Sequence, residues 1–127
     1  NQGNVEGMYA LAICYYAGDG VEQSKTKALK LYTVCAEKGD LNATFNLANM
    51  YFYGEGTDVD LEKSLELYKQ CAKNGDVDSQ TILGVMYYKG LGTELNSEEA
   101  KTWLSRAKKQ GHEMAAKFLE EIRKNEE

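Results

Sequence analysis

Few residues of this chain could carry catalytic chemistry. There is one histidine, His112, and there are three cysteines, Cys14, Cys35 and Cys71. A serine or cysteine nucleophile needs a neighbouring base to accept its proton, and with one histidine no Ser-His-Asp or Cys-His unit is complete. His112 stands at a predicted helix start and is interpreted as a solvated surface residue. The sequence therefore predicts a protein that is not an enzyme.

Two further patterns invite comparison with ligand sites. A Gly-x-Gly pair occurs three times, for example at Gly54 and Gly56. A phosphate-binding loop follows a strand and precedes a helix N-terminus, whereas a predicted helix precedes each pair here, so the pairs are interpreted as turns. The acidic run from Asp58 to Glu62 lacks the spacing and the turn glycine of a calcium loop and is interpreted as helix capping. The sequence predicts no cofactor and no metal.

The composition argues against two classes of partner. The chain has 127 residues and a net charge of -5, with acidic and basic residues interspersed. Nucleic-acid binding calls for a basic stripe, so no nucleic-acid partner is expected. No apolar run approaches the roughly 20 residues of a membrane span, so no membrane insertion is expected. No signal peptide is visible, but the chain opens with Asn at a repeat boundary, and we expect a domain of a longer protein or a mature form.

The elements that position these residues follow from an internal repeat. Shifting the sequence by 36 residues superimposes four glycines, four leucines and three tyrosines, and two further sets of loop glycines. The superimposed residues are Gly3, Gly39, Gly75 and Gly111; Leu11, Leu47, Leu83 and Leu119; and Tyr15, Tyr51 and Tyr87. A fixed period of this size is typical of a repeat architecture whose units bury a continuous core only when stacked.

Each unit is predicted to be a helix, a glycine-containing loop, a second helix and a short turn. In the second unit, helix A runs over Asp40–Tyr53 with apolar residues at helical spacing, and helix B runs over Leu61–Lys73. Gly54 suits a left-handed helix C-terminus, and Asp60 suits an N-cap. The equivalent helices are predicted at 4–17, 25–38, 76–89 and 97–110, with the last helix at 112–124.

The predicted fold class is all-α: an α/α superhelical solenoid of antiparallel helix pairs in one domain, residues 1–127. It comprises three units, residues 3–38, 39–74 and 75–110, and a capping helix and tail at 111–127. Residues 1–3 are interpreted as the tail of an absent turn, and residues 125–127 are expected to fray. Glu120 stands where the other units have a small residue, which fits a polar terminal cap.

The three cysteines are predicted to be small buried thiols. Cys14 and Cys35 lie near the ends of helices that run in opposite directions, and Cys35 and Cys71 lie one repeat apart. Such separations exceed the roughly 7 Å between alpha carbons that a disulfide allows. No CxxC spacing supports a metal or redox role. The compartment remains unknown, with a reducing one slightly favoured.

The pattern resembles the Sel-1-like repeat family, relatives of the tetratricopeptide repeats. In the second unit it reads Ala43-x3-Leu47-Ala48-x2-Tyr51-x2-Gly54-x-Gly56, and it recurs from Gly7 and from Ser79. The resemblance covers nearly the whole chain. It implies an α/α superhelix that serves as an adaptor or scaffold for other proteins. Some secreted relatives carry a disulfide in each unit, and this chain lacks those cysteine pairs.

A second stripe beside the core face of helix A could hold a ligand. In the second unit it comprises Phe45, Asn49 and Phe52, at i, i+4 and i+7. The resemblance to tetratricopeptide arrays implies that helices A line a concave surface. The equivalent and edge positions complete the predicted peptide-binding set: Tyr9, Ile13, Tyr16, Asn42, Asp78, Thr81, Val85, Tyr88 and Lys117. The alternative is that these rings complete packing between units, and that Asn49 bonds its own neighbours.

The function predicted from these features is a protein-interaction module that binds a protein or peptide on its concave face. One alternative is a structural spacer without a groove ligand. Another is a hydrolase of cell-wall or beta-lactam substrates, as proposed for some secreted relatives, but the sequence offers no nucleophile with a base. Met8 and Leu11 would normally pack against a preceding helix. If nothing precedes them, end-to-end self-association through the first helix is expected.

Overall fold

A computed structural model describes residues 2–126, with side chains from Asn4 onward, and this range contains seven helices and no strand. In chain order they are α1 (Gln2–Ala17), α2 (Lys25–Glu37), α3 (Leu41–Tyr53), α4 (Leu61–Lys73), α5 (Val77–Lys89), α6 (Ser97–Lys109) and α7 (Glu113–Asn125). The predicted all-α class and the order of helices are confirmed, with boundaries within two residues.

The first helix begins earlier than predicted. Of residues 1–3, interpreted from the sequence as the tail of a turn, residues 2 and 3 belong to α1, and residue 1 lies outside the described residues. The prediction was wrong because it transferred to Gly3 the role of Gly39 and Gly75, which have φ of 93° and 96° and follow a helix. Glycine also adopts helical dihedrals, so Gly3 is compatible with a helix when no helix precedes it.

Short polar side chains cap the helices, as the sequence predicted for the second helix of each repeat; the caps at Asp40 and Asp76 were not predicted. At α3, Asp40 Oδ1 accepts hydrogen bonds from the Asn42 and Ala43 amides at 3.0 and 3.4 Å. At α4, Asp60 Oδ1 accepts from the Lys63 amide at 3.0 Å. Each such bond satisfies an amide that has no partner in the first turn of the helix. Ser24, Asp76 and Asn96 make the same kind of bond at α2, α5 and α6.

His112 also caps a helix, which corrects the interpretation of a solvated surface residue. Its Nδ1 accepts a hydrogen bond from the Ala115 amide at 3.2 Å, and its Nε2 lies 3.1 Å from Asp78 Oδ1. The Nδ1 bond requires an unprotonated Nδ1, so neutral His112 donates from Nε2 to the carboxylate. His112 therefore replaces the aspartate that caps the equivalent helices α3 and α5.

The three loops between helices A and B share one geometry. In each, the amide of the N-cap residue donates to a tyrosine carbonyl nine residues earlier, at 2.9 Å: Ser24 to Tyr15, Asp60 to Tyr51 and Asn96 to Tyr87. The glycine that ends α3, Gly54, has φ of 71°, and Gly90 after α5 has φ of 70°. Left-handed residues at these ends let the chain reverse direction, and glycine takes that conformation without a steric penalty.

The chain forms two compact units that divide within α4, between Leu67 and Tyr68. In the first unit α2 packs against both α1 and α3. Its fully buried residues include Ala12, Ala28 and Cys35, each with 0% exposure. In the second unit α6 packs against both α5 and α7. Leu83 and Leu104 are fully buried there.

The core face of α1 is less buried than predicted. Leu11 is 42% exposed, whereas its equivalents Leu47, Leu83 and Leu119 are 3%, 0% and 2% exposed. The difference arises because α2 covers α3 and α6 covers α7, whereas no helix precedes α1 within residues 2–126.

Cys14 lies on the same helix and is half-buried, so the prediction of three buried thiols holds for Cys35 and Cys71 only.

Asn125 and Glu126 make side-chain hydrogen bonds, and residue 127 lies outside the described residues; the expectation that residues 125–127 fray stays a prediction. Asn125 Nδ2 donates to the Tyr88 hydroxyl at 3.1 Å. Glu126 accepts from Lys101 Nζ at 2.8 Å and from the Ser97 hydroxyl. These bonds join the end of α7 to α5 and to the first turn of α6.

Candidate functional site: a polar cavity in the first unit

The first compact unit contains a small, partly open cavity where the ends of α1 and α3 meet α2. Its volume is about 130 Å³, and its lining residues are Tyr16, Tyr32, Asn46, Asn49, Met50 and Glu55. Helix α1 contributes one ring, α2 the other, α3 the two amides and the methionine, and the loop after α3 the carboxylate. The cavity therefore combines aromatic walls with three polar side chains, which is the usual chemistry of a ligand pocket.

One side of the cavity is a hydrogen-bonded group around Glu55. Tyr16 donates its hydroxyl proton to Glu55 Oε2 at 2.7 Å, and Lys25 Nζ lies 3.0 Å from the same oxygen. The Lys25 ammonium also lies 5.2 Å from the centre of the Tyr16 ring. The Tyr16 hydrogen bond and the lysine hold the pKa of Glu55 below its usual value, and the carboxylate raises the pKa of Tyr16. Glu55 is therefore an anion at neutral pH.

The opposite side is an aromatic and amide group. Asn46 Nδ2 donates to the Tyr9 hydroxyl at 2.9 Å, and the Tyr9 and Tyr32 rings meet edge to face with centroids 5.7 Å apart. Burial raises the pKa of Tyr32 to about 12, so this ring stays neutral. Two aromatic side chains and one bonded amide fix this wall, and edge-to-face packing stabilises such pairs by about 0.5–1.5 kcal/mol beyond burial.

The full polar lining is not repeated in the neighbouring repeats. One repeat earlier, the positions of Asn46 and Asn49 hold Ala10 and Ile13, and only the carboxylate has a counterpart, Asp19. One repeat later, Asn46, Asn49 and Glu55 are replaced by Ile82, Val85 and Leu91. The repeat architecture therefore does not require an amide or a carboxylate at these positions. Met50, in contrast, is matched by Met86, and both methionines are 1% exposed. The methionine is therefore a core residue shared by these two repeats, whereas the two amides Asn46 and Asn49 have no polar counterpart in either neighbouring repeat.

The structure places part of the predicted site at this cavity. Tyr16 and Asn49 line it, and Tyr9 supports its wall. Phe52 is half-buried and its ring meets Tyr53 at 4.9 Å between centroids, Phe45 is half-buried, and Ile13 is 45% exposed. Asn42 is exposed at the start of α3, away from the lining set.

The predicted site residues in the second compact unit differ in their burial and in their contacts. Thr81 is only 6% exposed, and its hydroxyl donates to the Val77 carbonyl at 3.2 Å, so it serves packing rather than a ligand surface. Tyr88 is half-buried and accepts the hydrogen bond from Asn125. Asp78 is exposed beside His112. Val85 is half-buried and Lys117 is exposed.

Four lining residues were absent from the sequence-based prediction: Tyr32, Asn46, Met50 and Glu55. That prediction followed one stripe of helix A, whereas Tyr32 lies on a helix B and Glu55 lies in a loop. A signal for two of them existed in the repeat itself, because Asn46 and Glu55 stand where the next unit has Ile82 and Leu91. Comparing the polarity of equivalent residues in these two repeats would have identified Asn46 and Glu55.

The cavity holds few titratable groups. Its titratable groups are Glu55, which is bonded to Tyr16 and Lys25, and two tyrosines. Over the part of the chain that the structure describes, no group of three or more His, Cys, Asp or Glu side chains could hold a metal ion.

In the same range, no helix is both long enough and apolar enough to cross a membrane.

Comparison with family models places the chain among repeat proteins. The Sel1 repeat model matches three times, at residues 5–40, 41–76 and 77–112. These matches repeat every 36 residues, as the sequence predicted, and they begin two residues later than the predicted units. The comparison with curated proteins returned no match.

Three solved structures have a similar fold. A Sel1 repeat protein from Oxalobacter formigenes is 34% identical, with a TM-score of 0.84, over 94% of this chain and 90% of that one. The protective antigen c5321 of uropathogenic Escherichia coli is 32% identical, also with a TM-score of 0.84, over 90% of this chain. The chain spans 24% of that antigen's length. Helicobacter pylori cysteine rich protein B is 21% identical, with a TM-score of 0.71, over 91% of this chain and 95% of that one, which shows the fold alone.

Proposed function

Because the chain belongs to the Sel1 repeat family, whose members are in general protein-interaction scaffolds, we propose that it binds a segment of another protein at the cavity of the first unit. The observation that carries this proposal is a difference between successive repeats. Asn46, Asn49 and Glu55 stand where the next repeat has aliphatic residues. Polar groups that a fold does not require are expected to serve recognition.

The size of the cavity indicates what it would hold. Pockets for small-molecule ligands usually measure about 300–1,000 Å³, whereas this cavity measures about 130 Å³. A single side chain of a bound segment suits this volume better than a cofactor does. The rings of Tyr16 and Tyr32 would contact its apolar part, and the Asn49 amide would bond its polar end or the adjacent backbone. Buried anchors of this kind dominate the energy of many interfaces.

The rest of the bound segment would run along helices A. Ile13, Phe45 and Phe52 lie on α1 and α3 and offer exposed or half-exposed apolar area. In the second unit the predicted surface is reduced to Asp78, Val85, Tyr88 and Lys117, since Thr81 is buried. The concave arrangement of these residues remains part of the proposal, and the family resemblance supports it.

The test uses substitutions that the repeat itself supplies. Asn46→Ile together with Asn49→Val gives the cavity the residues that the next repeat has at these positions, Ile82 and Val85. The fold should therefore tolerate both changes. A matched control, Lys30→Ile with Gln70→Val, adds the same aliphatic residues at exposed helix positions. Peptides that bind the wild type would first be selected from a random displayed library. The affinity of each selected peptide for the wild type, the cavity variant and the control variant would then be measured by fluorescence anisotropy. Circular dichroism would confirm that each protein is folded.

We expect the cavity variant to bind the selected peptides at least tenfold more weakly, and the control to bind as the wild type does. Equal affinity of the cavity variant and the control would refute the cavity as the site. If no peptide is selected at all, the alternative of a structural spacer gains support.

Self-association through α1 stays a second proposal for the case that no further repeat precedes α1, and the exposure of Leu11 supports it. Leu11 presents to solvent a position that helices cover in the other units. A second copy packed end to end on this face would bury it. Light scattering over a wide concentration range should then show dimers that Leu11→Gln abolishes. A strict monomer at high concentration would contradict the proposal.

A further inference from the structure

A second surface, the basic groove between α6 and α7, is independent of the cavity. Its volume is about 510 Å³, and Lys101, Arg106, Lys109 and Arg123 line it together with Glu98 and two hydroxyl residues. Four of these seven residues are cationic and one is anionic, although the whole chain carries a net charge of -5. Positive charge is therefore concentrated on this end of the second unit.

Most of this charge has no partner within the protein. Lys101 is neutralised, because its ammonium lies 3.1 Å from Glu98 and 2.8 Å from Glu126. Among the described residues, no carboxylate lies within ion-pair distance of Arg106, Lys109 or Arg123. These three side chains leave a net positive groove that attracts negative charge from solution.

Helix electrostatics explain only part of this arrangement. Arg106 and Lys109 lie in the last turn of α6 and Arg123 in the last turn of α7, where cations favour the helix dipole. The dipole does not determine which side of the helix a cation occupies, and all three line the same groove. Alignment on one surface therefore needs a further reason.

The repeat register shows what these cations replace. Arg106 stands where the first two repeats have Val34 and Gln70. Arg123 stands where helices α3 and α5 have Tyr51 and Tyr87. A terminal repeat needs polar residues on its outer face for solubility, but either sign of charge would serve. Arg106 and Arg123 are cations at positions where the other repeats have none, which points to a ligand of opposite charge.

We propose that the groove between α6 and α7 binds an acidic segment of a partner protein. A peptide suits the groove better than a nucleic acid does, because the net charge of -5 repels a long polyanion outside a short basic surface. Arg106 and Arg123 can each bind a carboxylate through two parallel hydrogen bonds, and Lys109 adds a point charge. The proposal does not depend on the cavity of the first unit.

Trp103 provides a direct reporter for this groove. It is the single tryptophan of the chain, and the Arg106 guanidinium lies 4.6 Å from the centre of its ring. A carboxylate that draws Arg106 away or changes its charge environment should alter the tryptophan fluorescence. Hexaglutamate is the probe, with hexaglutamine as the uncharged control peptide and a thymidine hexanucleotide as the competing polyanion.

The variants are matched for charge. Arg106→Gln, Lys109→Gln and Arg123→Gln together remove three cations from the groove. Lys30→Gln, Lys63→Gln and Lys89→Gln together remove three exposed cations from other helices. Labelled hexaglutamate would be titrated against the wild type and both variants by anisotropy, because Arg106→Gln itself changes the tryptophan signal.

We expect saturable binding of hexaglutamate with a change in Trp103 fluorescence and no binding of hexaglutamine. An exposed charge pair changes an affinity by roughly two- to threefold, so the groove variant should bind about tenfold more weakly and the control variant within about twofold of wild type. Binding should also weaken between about 0.01 and 1 M salt, as the Debye length falls from about 30 to about 3 Å.

Three results would overturn the proposal. One is the absence of hexaglutamate binding at low salt. Another is an equal loss of affinity in both variants, which would indicate attraction to the general charge of the surface. The third is tighter binding of the hexanucleotide than of hexaglutamate, which would assign the groove to nucleic acid instead.

Discussion

Replacing Gly84 by alanine should destabilise the protein, although alanine is the better helix former. Gly84 lies in the middle of α5, and a Cβ atom built there would meet Leu104 Cγ at 2.6 Å, Leu104 Cδ2 at 3.0 Å and the Ala100 carbonyl oxygen at 3.2 Å. Leu104 is fully buried, so it has little room to move. The approach of α6 to α5 therefore depends on the missing side chain.

Two opposing contributions set the magnitude. Alanine in a helix interior is favoured over glycine by about 0.8–1.0 kcal/mol. An extra methyl group in a packed core costs about 1–3 kcal/mol through shifted side chains and backbone. The net loss of unfolding free energy for Gly84→Ala is therefore between about 0 and 2 kcal/mol, and about 1 kcal/mol is expected.

Gly7 provides the matched control. It lies within α1, and a Cβ atom there would have no other heavy atom within 4 Å. Gly7→Ala should then raise the unfolding free energy by about 0.8–1.0 kcal/mol, since only the helix propensity changes. The difference between the two variants measures the steric contribution alone.

Urea unfolding followed by circular dichroism would measure both changes. The argument also predicts that Gly84→Ala becomes favourable in a Leu104→Ala background, because the closest atoms, Leu104 Cγ and Cδ2, are then gone. If Gly84→Ala stabilises the wild type as much as Gly7→Ala does, the close approach of α5 and α6 is refuted.

Three further predictions concern charge, capping and thiol exposure. The pKa of Glu55 is lowered in the folded state, so its contribution to stability is present above its unfolded pKa of about 4.3 and is lost as the pH falls through the folded value. Wild type should therefore lose more stability than Glu55→Gln between about pH 5 and 3, and equal losses in acid unfolding would contradict this. Asp76→Ala removes the side-chain acceptor of the α5 N-terminus and should lower the unfolding free energy by about 1 kcal/mol in urea titration, whereas an unchanged value would show that water replaces the cap. Cys14 should react with dithionitrobenzoate faster than Cys35 and Cys71, because burial raises the pKa of both slower thiols; three equal rates would contradict the burial pattern.

The fold could be predicted because repeated local signals agree with one another. Each loop has glycines where φ is positive, the starts of helices α2 to α7 carry a residue that accepts a hydrogen bond, and leucines and tyrosines recur every 36 residues at equivalent helix positions. The exposure of Leu11 could not be read from its own unit, since burial of that position depends on the helix that precedes it. The capping role of His112 was missed because Asp40 and Asp76, which stand at the equivalent positions, were placed inside the predicted helices and were not identified as caps.

The candidate site was only partly predictable for a related reason. A stripe of one helix identified Tyr16 and Asn49, but the cavity also needs Tyr32 from α2 and Glu55 from a loop. Residues from separate elements meet only after packing, and no spacing along the chain encodes that meeting. Thr81 shows the opposite error: its hydroxyl bonds within its own helix, so it can be buried at a position that suggested exposure.

The sign of one stability change can separate a binding role from a structural role for Asn49. The next repeat has Val85 at this position, and asparagine and valine have similar helix propensities, so propensity does not decide the outcome. Asn49 is half-buried beside Tyr16 and Met50, where valine would bury part of an apolar side chain worth about 1.5–3 kcal/mol when fully buried. If the amide serves binding, Asn49→Val should raise the unfolding free energy by about 1 kcal/mol in urea while peptide affinity falls. If the amide serves the fold, the same change should lower the unfolding free energy by about 1 kcal/mol, because a buried hydrogen-bond partner loses its match. A loss of stability with unchanged peptide affinity would therefore remove Asn49 from the proposed site.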